Sequence, residues 1–138
     1  MTKEQLASLA KNVMEKAYSP YSGYKVGAAL LCKDGSVYTG CNVENASFSA
    51  TNCAERTAFF KAASEGKREF SALAICGGKD GVIEGLFPPC GVCRQVMREF
   101  CEDDFKIHLL TKEGIETYTL RELFPVSFAP KTIKKTEK

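Results

Sequence analysis

The sequence predicts an α/β protein: a single three-layer α/β/α domain with a mixed sheet of about five strands between helices. Three observations carry that prediction. Asp34-Gly35 is a strong hairpin signal between two apolar runs, so the strands on either side pair antiparallel. A strand, a helix and a strand follow one another between Phe70 and Thr111, which calls for a parallel crossover. A chain of 138 residues, 44% of them hydrophobic, can bury one core and hardly two, so both pairings belong to one sheet covered by helices on its two faces.

The elements follow in order. Leu6, Leu9, Ala10, Val13, Met14 and Ala17 recur at helical spacing, which predicts a first amphipathic helix over residues 3–17, ended by Ser19-Pro20. Strands are expected at 24–32 and 37–43. After a polar stretch, the Ala-rich segment 53–65 reads as a second helix closed by Gly66. An apolar run over 70–76 has the character of a buried strand, a Gly-rich loop spans 77–89, and Pro88-Pro89 introduce a third helix over 90–101. Strands at 106–111 and 116–119 flank a turn at Lys112-Glu113-Gly114, and 120–124 add a last helical turn.

The domain is expected to span residues 1–130, with 131–138 as a basic, frayed tail. The formal charge of +2 comes from that tail: Lys131, Lys134, Lys135 and Lys138 against Glu137 give +3 and leave about −1 for the body. A body without excess Lys and Arg does not suit a phosphate backbone, so no nucleic-acid partner is expected. No apolar run approaches the ~20 residues of a membrane helix, and the first 18 residues lack a signal-peptide core. A cytoplasmic protein without membrane contact is expected, in which seven cysteines read as thiols and metal ligands before disulfides.

Cys90-Gly91-Val92-Cys93 has the two-residue gap that lets both thiolates reach one metal. Three readings are open: a redox dithiol, half of a structural zinc site, or ligands of a catalytic metal. The first lacks a thioredoxin-like context. A closed structural site takes four protein ligands, and no second pair is present; the one histidine, His108, sits between Ile107 and Leu109 in a predicted strand and reads as structural. With Cys53 as third ligand, a zinc would keep one open position for water, although spacing alone does not bring the two distant helix starts together. Both Cys53 and Cys90 fall at such starts, where unpaired amides favour thiolate. Glu55 is either an acid complementing the helix dipole or, beside a metal site, a general base. Arg56 is either an exposed cation or a donor to the thiolate sulfurs. Cys32, Cys41, Cys76 and Cys101 read as core thiols.

Cys53-Ala54-Glu55-Arg56, followed 36 residues past Cys53 by Pro89-Cys90-Gly91-Val92-Cys93-Arg94-Gln95, resembles the small homotetrameric cytidine deaminases. Ser19-Pro20-Tyr21-Ser22, Val26-Gly27-Ala28-Ala29 and Gly40-Cys41-Asn42-Val43-Glu44-Asn45-Ala46 resemble that family's segments in the same order, so the likeness covers nearly the whole chain. It implies one zinc per chain on Cys53, Cys90 and Cys93, with Glu55 shuttling protons while water replaces the amine of cytidine or deoxycytidine in pyrimidine salvage. It further implies a nucleoside site with Asn42 and Glu44 on the ribose, Val43 between them, the Ala54 backbone on the pyrimidine, Tyr24 beside the ring, and Phe128 reaching a neighbouring subunit's site. Arg56 would stand behind the thiolates. Phe48 occupies an interface position that is often Tyr, and the 77–89 loop runs slightly longer than usual. A blasticidin-type deaminase is a poorer match, because its sugar segment lacks the Glu44 equivalent and its Cys-Ala-Glu lacks a following Arg. A non-enzymatic zinc module, with Cys53 apart from the pair, is the rival from another class.

Overall fold

A computed structural model describes residues 1–134. Residues 135–138, half of the expected tail, lie outside the described residues, and a short helix, Pro130–Ile133, runs into the other half. Five strands form one sheet: β1 (Tyr24–Cys32), β2 (Val37–Cys41), β3 (Phe70–Lys79), β4 (Lys106–Thr111) and β5 (Gly114–Thr119), in the spatial order β2-β1-β3-β4-β5. Only β3 and β4 run parallel; the other neighbours are antiparallel, as the hairpin and the crossover require.

The strands alternate between two cores. Ala29, Ala72, Ala74 and Cys76 face α1 (Lys3–Met14), which buries Leu6, Ala7, Ala10 and Met14. Their neighbours Ala28, Leu30, Leu73 and Ile75 face the opposite way, with Ile107 and Leu109, toward α2 (Ala54–Ser64) and α3 (Gly91–Phe100). That period of two is what covers both faces of the sheet. On the second face Phe59 of α2 packs edge-on to Phe70 at 5.2 Å and stacks on Phe100 of α3 at 6.1 Å between centroids, which binds the two helices to each other.

Several boundaries shift from expectation for identifiable reasons. The first helix stops at Met14 because the next three amides turn to tighter bonds, Lys16 to Val13 and Ala17 to Met14 among them, which close the end before Pro20. The second strand stops at Cys41, not Val43. Tyr18 takes the carbonyl of Asn42, and Asn52 exchanges two bonds of 3.0 Å with Val43, so the chain leaves the sheet there. The third strand runs three residues past Cys76, because Gly77 and Gly78 can pair with Val26 and Lys25 while loop atoms crowd where side chains would be: a Cβ on Gly78 would lie 1.8 Å from the Val82 carbonyl. The last strand begins at Gly114, paired to Thr111. A 3-10 turn, Phe48–Ala50, appears in the polar stretch before α2, and the helical turn expected after β5 is α4 (Leu120–Leu123), opened by a capping box on Thr119 and followed by the Pro130–Ile133 helix that was not expected.

Gly40 sets how closely β2 approaches the first turn of α2. A Cβ there would stand 2.6 Å from both the Ala54 carbonyl and the Ala58 amide. Gly40→Ala must therefore push α2 off the sheet and should cost about 1–3 kcal/mol, read as a lowered midpoint in urea or thermal unfolding. An unchanged midpoint would show that the helix does not need this contact.

Candidate metal and catalytic site

Cys53 and Cys90 are the N-cap residues of α2 and α3, both in extended backbone, and neither side chain caps its own helix. Their sulfurs are thereby left to face each other, 3.8 Å apart. Cys93, one turn into α3, brings a third sulfur 3.5 Å from Cys90, and the three ligand atoms all lie within 4.8 Å of one another. A tetrahedral zinc with Zn–S bonds of about 2.3 Å spaces its sulfurs about 3.8 Å apart, so this donor set fits the ion in softness and in size. The burial is graded: Cys93 is enclosed, Cys53 half-buried and Cys90 exposed. The cluster is approached from the Cys90 side.

The protonation pattern shows what the cluster lacks without a cation. Cys53 is drawn down to about 5, first by the neighbouring Cys93 thiol and then by Arg56. Cys93 is pushed far up by that same partnership and by burial. One proton is thus shared where a metal would displace it, and binding should release protons and strengthen as pH rises. Arg56 Nη2 donates to Cys53 Sγ at 3.2 Å. Burial opposes the guanidinium's charge, yet the neighbouring Cys53 and Cys93 sulfurs outweigh that and hold it firmly protonated. Its Nε is buried without a partner, so the bond to Cys53 is what orients the fork.

Glu55 lies in the first turn of α2 and is only 4% exposed. Desolvation pushes its carboxyl up to about 7, helped by the negative charge of Cys53. An acid so placed can take and return a proton near neutrality.

The expected sugar-side residues stand one bridge away. Val43, exposed, pairs with Asn52, the residue before Cys53. Asn42 is buried: its Oδ1 accepts from the Val26 amide at 2.9 Å and its Nδ2 donates to the Tyr24 carbonyl at 2.8 Å. Glu44 Oε1 accepts from the amides of Tyr21 and Ser22 at 2.9 and 3.1 Å, and Oε2 accepts from the Ser22 hydroxyl. The hydroxyl bond above all keeps this carboxyl below its ordinary value. Glu44 lines an open groove of about 420 Å³ with Tyr21, Ser22, Asn45, Phe48 and Thr51. Ala54, the first residue of α2, is fully buried. Tyr24 and Phe128 do not line that groove. Tyr24 stacks on Phe87 at 6.1 Å under the Lys79 ammonium, and Phe128 is exposed, its carbonyl accepting from Gln95 at 2.9 Å.

Ser22 and Asn52 were not singled out by sequence reasoning. The Ser-Pro-Tyr-Ser turn was the one available signal for the first; the second is placed only by its bridge to Val43. His108, the one histidine, bonds Thr117 across β4 and β5 at 2.8 Å, as a structural side chain would. Cys32, Cys76 and Cys101 are buried and Cys41 partly so.

Residues 1–109 match the family model for the cytidine and deoxycytidylate deaminase zinc-binding region. The chain is 48% identical over 130 residues to a cytidine deaminase of Sporosarcina psychrophila, covering 94% of this chain and 93% of that one. It is 50% identical over 129 residues to a cytidine deaminase of Halalkalibacterium halodurans, with 93% and 95% covered. Its fold superposes on the crystal structure of cytidine deaminase from Burkholderia pseudomallei with a TM-score of 0.86 at 45% identity, covering 93% of this chain and all of that one. Among the described residues no helix is long and apolar enough to cross a membrane.

The raised Glu55 carboxyl makes a prediction for metal-free protein. Its folded pKa, about 7, exceeds the ordinary 4.5, so its contribution to stability is present below pH 4.5 and lost as pH rises through 7. Glu55→Gln removes that loss. Chelator-treated Glu55→Gln should match the parent at pH 4 and exceed it at pH 8 by ~1–3 kcal/mol in urea unfolding. No gain at pH 8 would mean that the carboxyl is not held in an apolar setting.

Proposed function

The chain belongs to the cytidine and deoxycytidylate deaminase family, and on that premise we propose that it hydrolyses cytidine and deoxycytidine to uridine and deoxyuridine with release of ammonia. The observation that carries this reading is the meeting of three thiols and a buried, high-pKa carboxyl at two helix starts. Zinc is the cofactor, and Cys53, Cys90 and Cys93 are the residues that would hold one ion per chain. When bound, zinc lowers the pKa of water into the neutral range and so supplies the nucleophile.

The chain's own residues supply the rest. Glu55 accepts the first proton that the attacking water gives up and delivers it to ring N3 as the new C4–O bond forms. It then carries the second to the amine as the C4–N bond breaks, so that cytidine and water become uridine and ammonia. Arg56 offsets the negative charge that three thiolates accumulate, which would otherwise weaken the ion as an acid. The buried Ala54 backbone at the head of α2 lies against the pyrimidine. Asn42 and Glu44 recognise the sugar, with Val43 between them fixing the segment to Asn52. Tyr24 flanks the ring.

Phe128, 60% exposed, and Phe48, 74% exposed, are apolar surface that a monomer leaves in water, which supports a homotetramer in which Phe128 reaches a neighbouring site. The activity belongs to pyrimidine salvage in the cytoplasm. The catalytic domain spans residues 1–130.

Zinc-loaded Glu55→Gln should retain about one zinc per chain and its fold, while ammonia release from cytidine falls about 10²–10⁴-fold. Substantial retained turnover would remove Glu55 from the mechanism, and a zinc-loaded parent inert toward both nucleosides would remove the activity. Sedimentation should find a tetramer; a fully active monomer would rule out Phe128 acting across subunits.

A further inference from the structure

Ser22, exposed on the turn between α1 and β1, makes four polar contacts that converge on the sugar-side residues. Its amide donates to Glu44 Oε1 at 3.1 Å, and its hydroxyl donates to Oε2. The same Oγ accepts the Tyr24 amide at 3.0 Å, and its carbonyl accepts Lys79 Nζ, also at 3.0 Å. Lys79, at the end of β3, holds its ammonium 5.4 Å from the centroid of the Tyr24 ring.

We propose that Ser22 is a positioning residue for nucleoside recognition: its hydroxyl fixes Glu44 so that one remaining carboxylate lone pair faces the sugar, and couples that carboxylate to the Tyr24 backbone. The inference rests on the reading of Glu44 as a sugar contact. A carboxylate offers about four acceptor positions, and three of them are taken by Tyr21 and Ser22. The position left over is on Oε2, the oxygen that Ser22 alone orients. A glutamate side chain free to rotate would have to be ordered each time a substrate bound; one held at both oxygens is ordered in advance. Both Ser22 and Glu44 line the open groove, so the oriented oxygen stands where a ligand can reach it. Asn42, its oxygen and one amide hydrogen engaged by Val26 and Tyr24, keeps one N–H to give. Ser22 touches no reacting atom in this scheme. It acts through Glu44.

Steady-state kinetics on zinc-loaded Ser22→Ala, Ser22→Thr, Glu44→Gln and the Ser22→Ala/Glu44→Gln double variant test this, with cytidine and with 2′,3′-dideoxycytidine, which lacks the sugar-ring hydroxyls. Loss of a hydrogen bond to a carboxylate should raise the KM of Ser22→Ala for cytidine about five- to tenfold with kcat within about twofold, and Ser22→Thr, which keeps the hydroxyl, should restore it. The effect should vanish on dideoxycytidine and in the Glu44→Gln background, while zinc content and melting temperature stay at the parent's values. Equal losses on both substrates, or full additivity in the double variant, would overturn the proposal. Should Glu44→Gln raise KM while Ser22→Ala does not, the role of Ser22 alone fails. An unchanged KM in Glu44→Gln would remove the sugar assignment itself, and the inference with it.

Discussion

Three thiols and a carboxyl gathered at one partly buried corner repel one another in their ionised forms, and burying their charges costs several kcal/mol each unless opposite charge is supplied. The structure supplies it from two directions. The first turns of α2 and α3 aim unpaired amides at the cluster, with Cys53 and Cys90 standing at the N-caps. Arg56, one turn along from Cys53, reaches back to its sulfur. A divalent cation held by Cys53, Cys90 and Cys93 would complete the balance, in place of the proton that Cys93 otherwise keeps. The fold is arranged around this need: both helices lie on the same face of the sheet, clamped to each other through Phe59 and Phe100, so that their N-termini arrive together.

The connection from the thiol corner to the segment 42–45 is mainly backbone, joined by the Thr51 hydroxyl that accepts the Asn45 amide at 3.0 Å. At Cys41 the second strand gives up its partner in the sheet, and the next residues pair instead with Tyr18 and Asn52. Because Asn52 immediately precedes Cys53, the bridge from Val43 fixes Asn42 and Glu44 relative to the ligand that heads α2. Gly40 allows β2 to lie against the first turn of that helix. Displacing α2 would therefore move Cys53, Glu55 and Arg56 together.

The Asp34-Gly35 turn between two apolar runs made the hairpin legible in the sequence, and the strand-helix-strand order from Phe70 to Thr111 made the parallel crossover so; the strands 24–32 and 106–111 keep those bounds in the structure. Boundaries set by tertiary partners were not legible: the end of β2 depends on Tyr18 and Asn52, and the extra length of β3 depends on two glycines whose missing side chains leave room for the following loop. The Cys90–Cys93 pair announced itself by spacing, because both residues lie on one turn of one helix. Cys53 did not, since its approach is fixed by packing between helices 37 residues apart in sequence. Ser22 was overlooked for a related reason. Its place in the Ser19-Pro20-Tyr21-Ser22 segment carries no sign of a partner, and only the return of the chain at Glu44 gives its hydroxyl a carboxylate to hold.

Glu44 and Glu55 carry the same functional group in two environments that drive it in opposite directions. Glu44 accepts three donors at the edge of an open groove and is held as an anion, the better acceptor for a neutral hydroxyl. Glu55 is enclosed beside a negatively charged sulfur and is raised to about 7, where gaining and losing a proton are nearly balanced. Exchanging the environments would remove both proposed uses: a carboxyl tied by three donors is too acidic to return a proton readily, and one that protonates near neutrality would lose its acceptor strength as it did so. The proposed division between recognition by Glu44 and proton transfer by Glu55 thus lies in the surroundings of each carboxyl, and the fold keeps those surroundings apart by placing one at the edge of an open groove and the other in the first turn of α2, on its buried side.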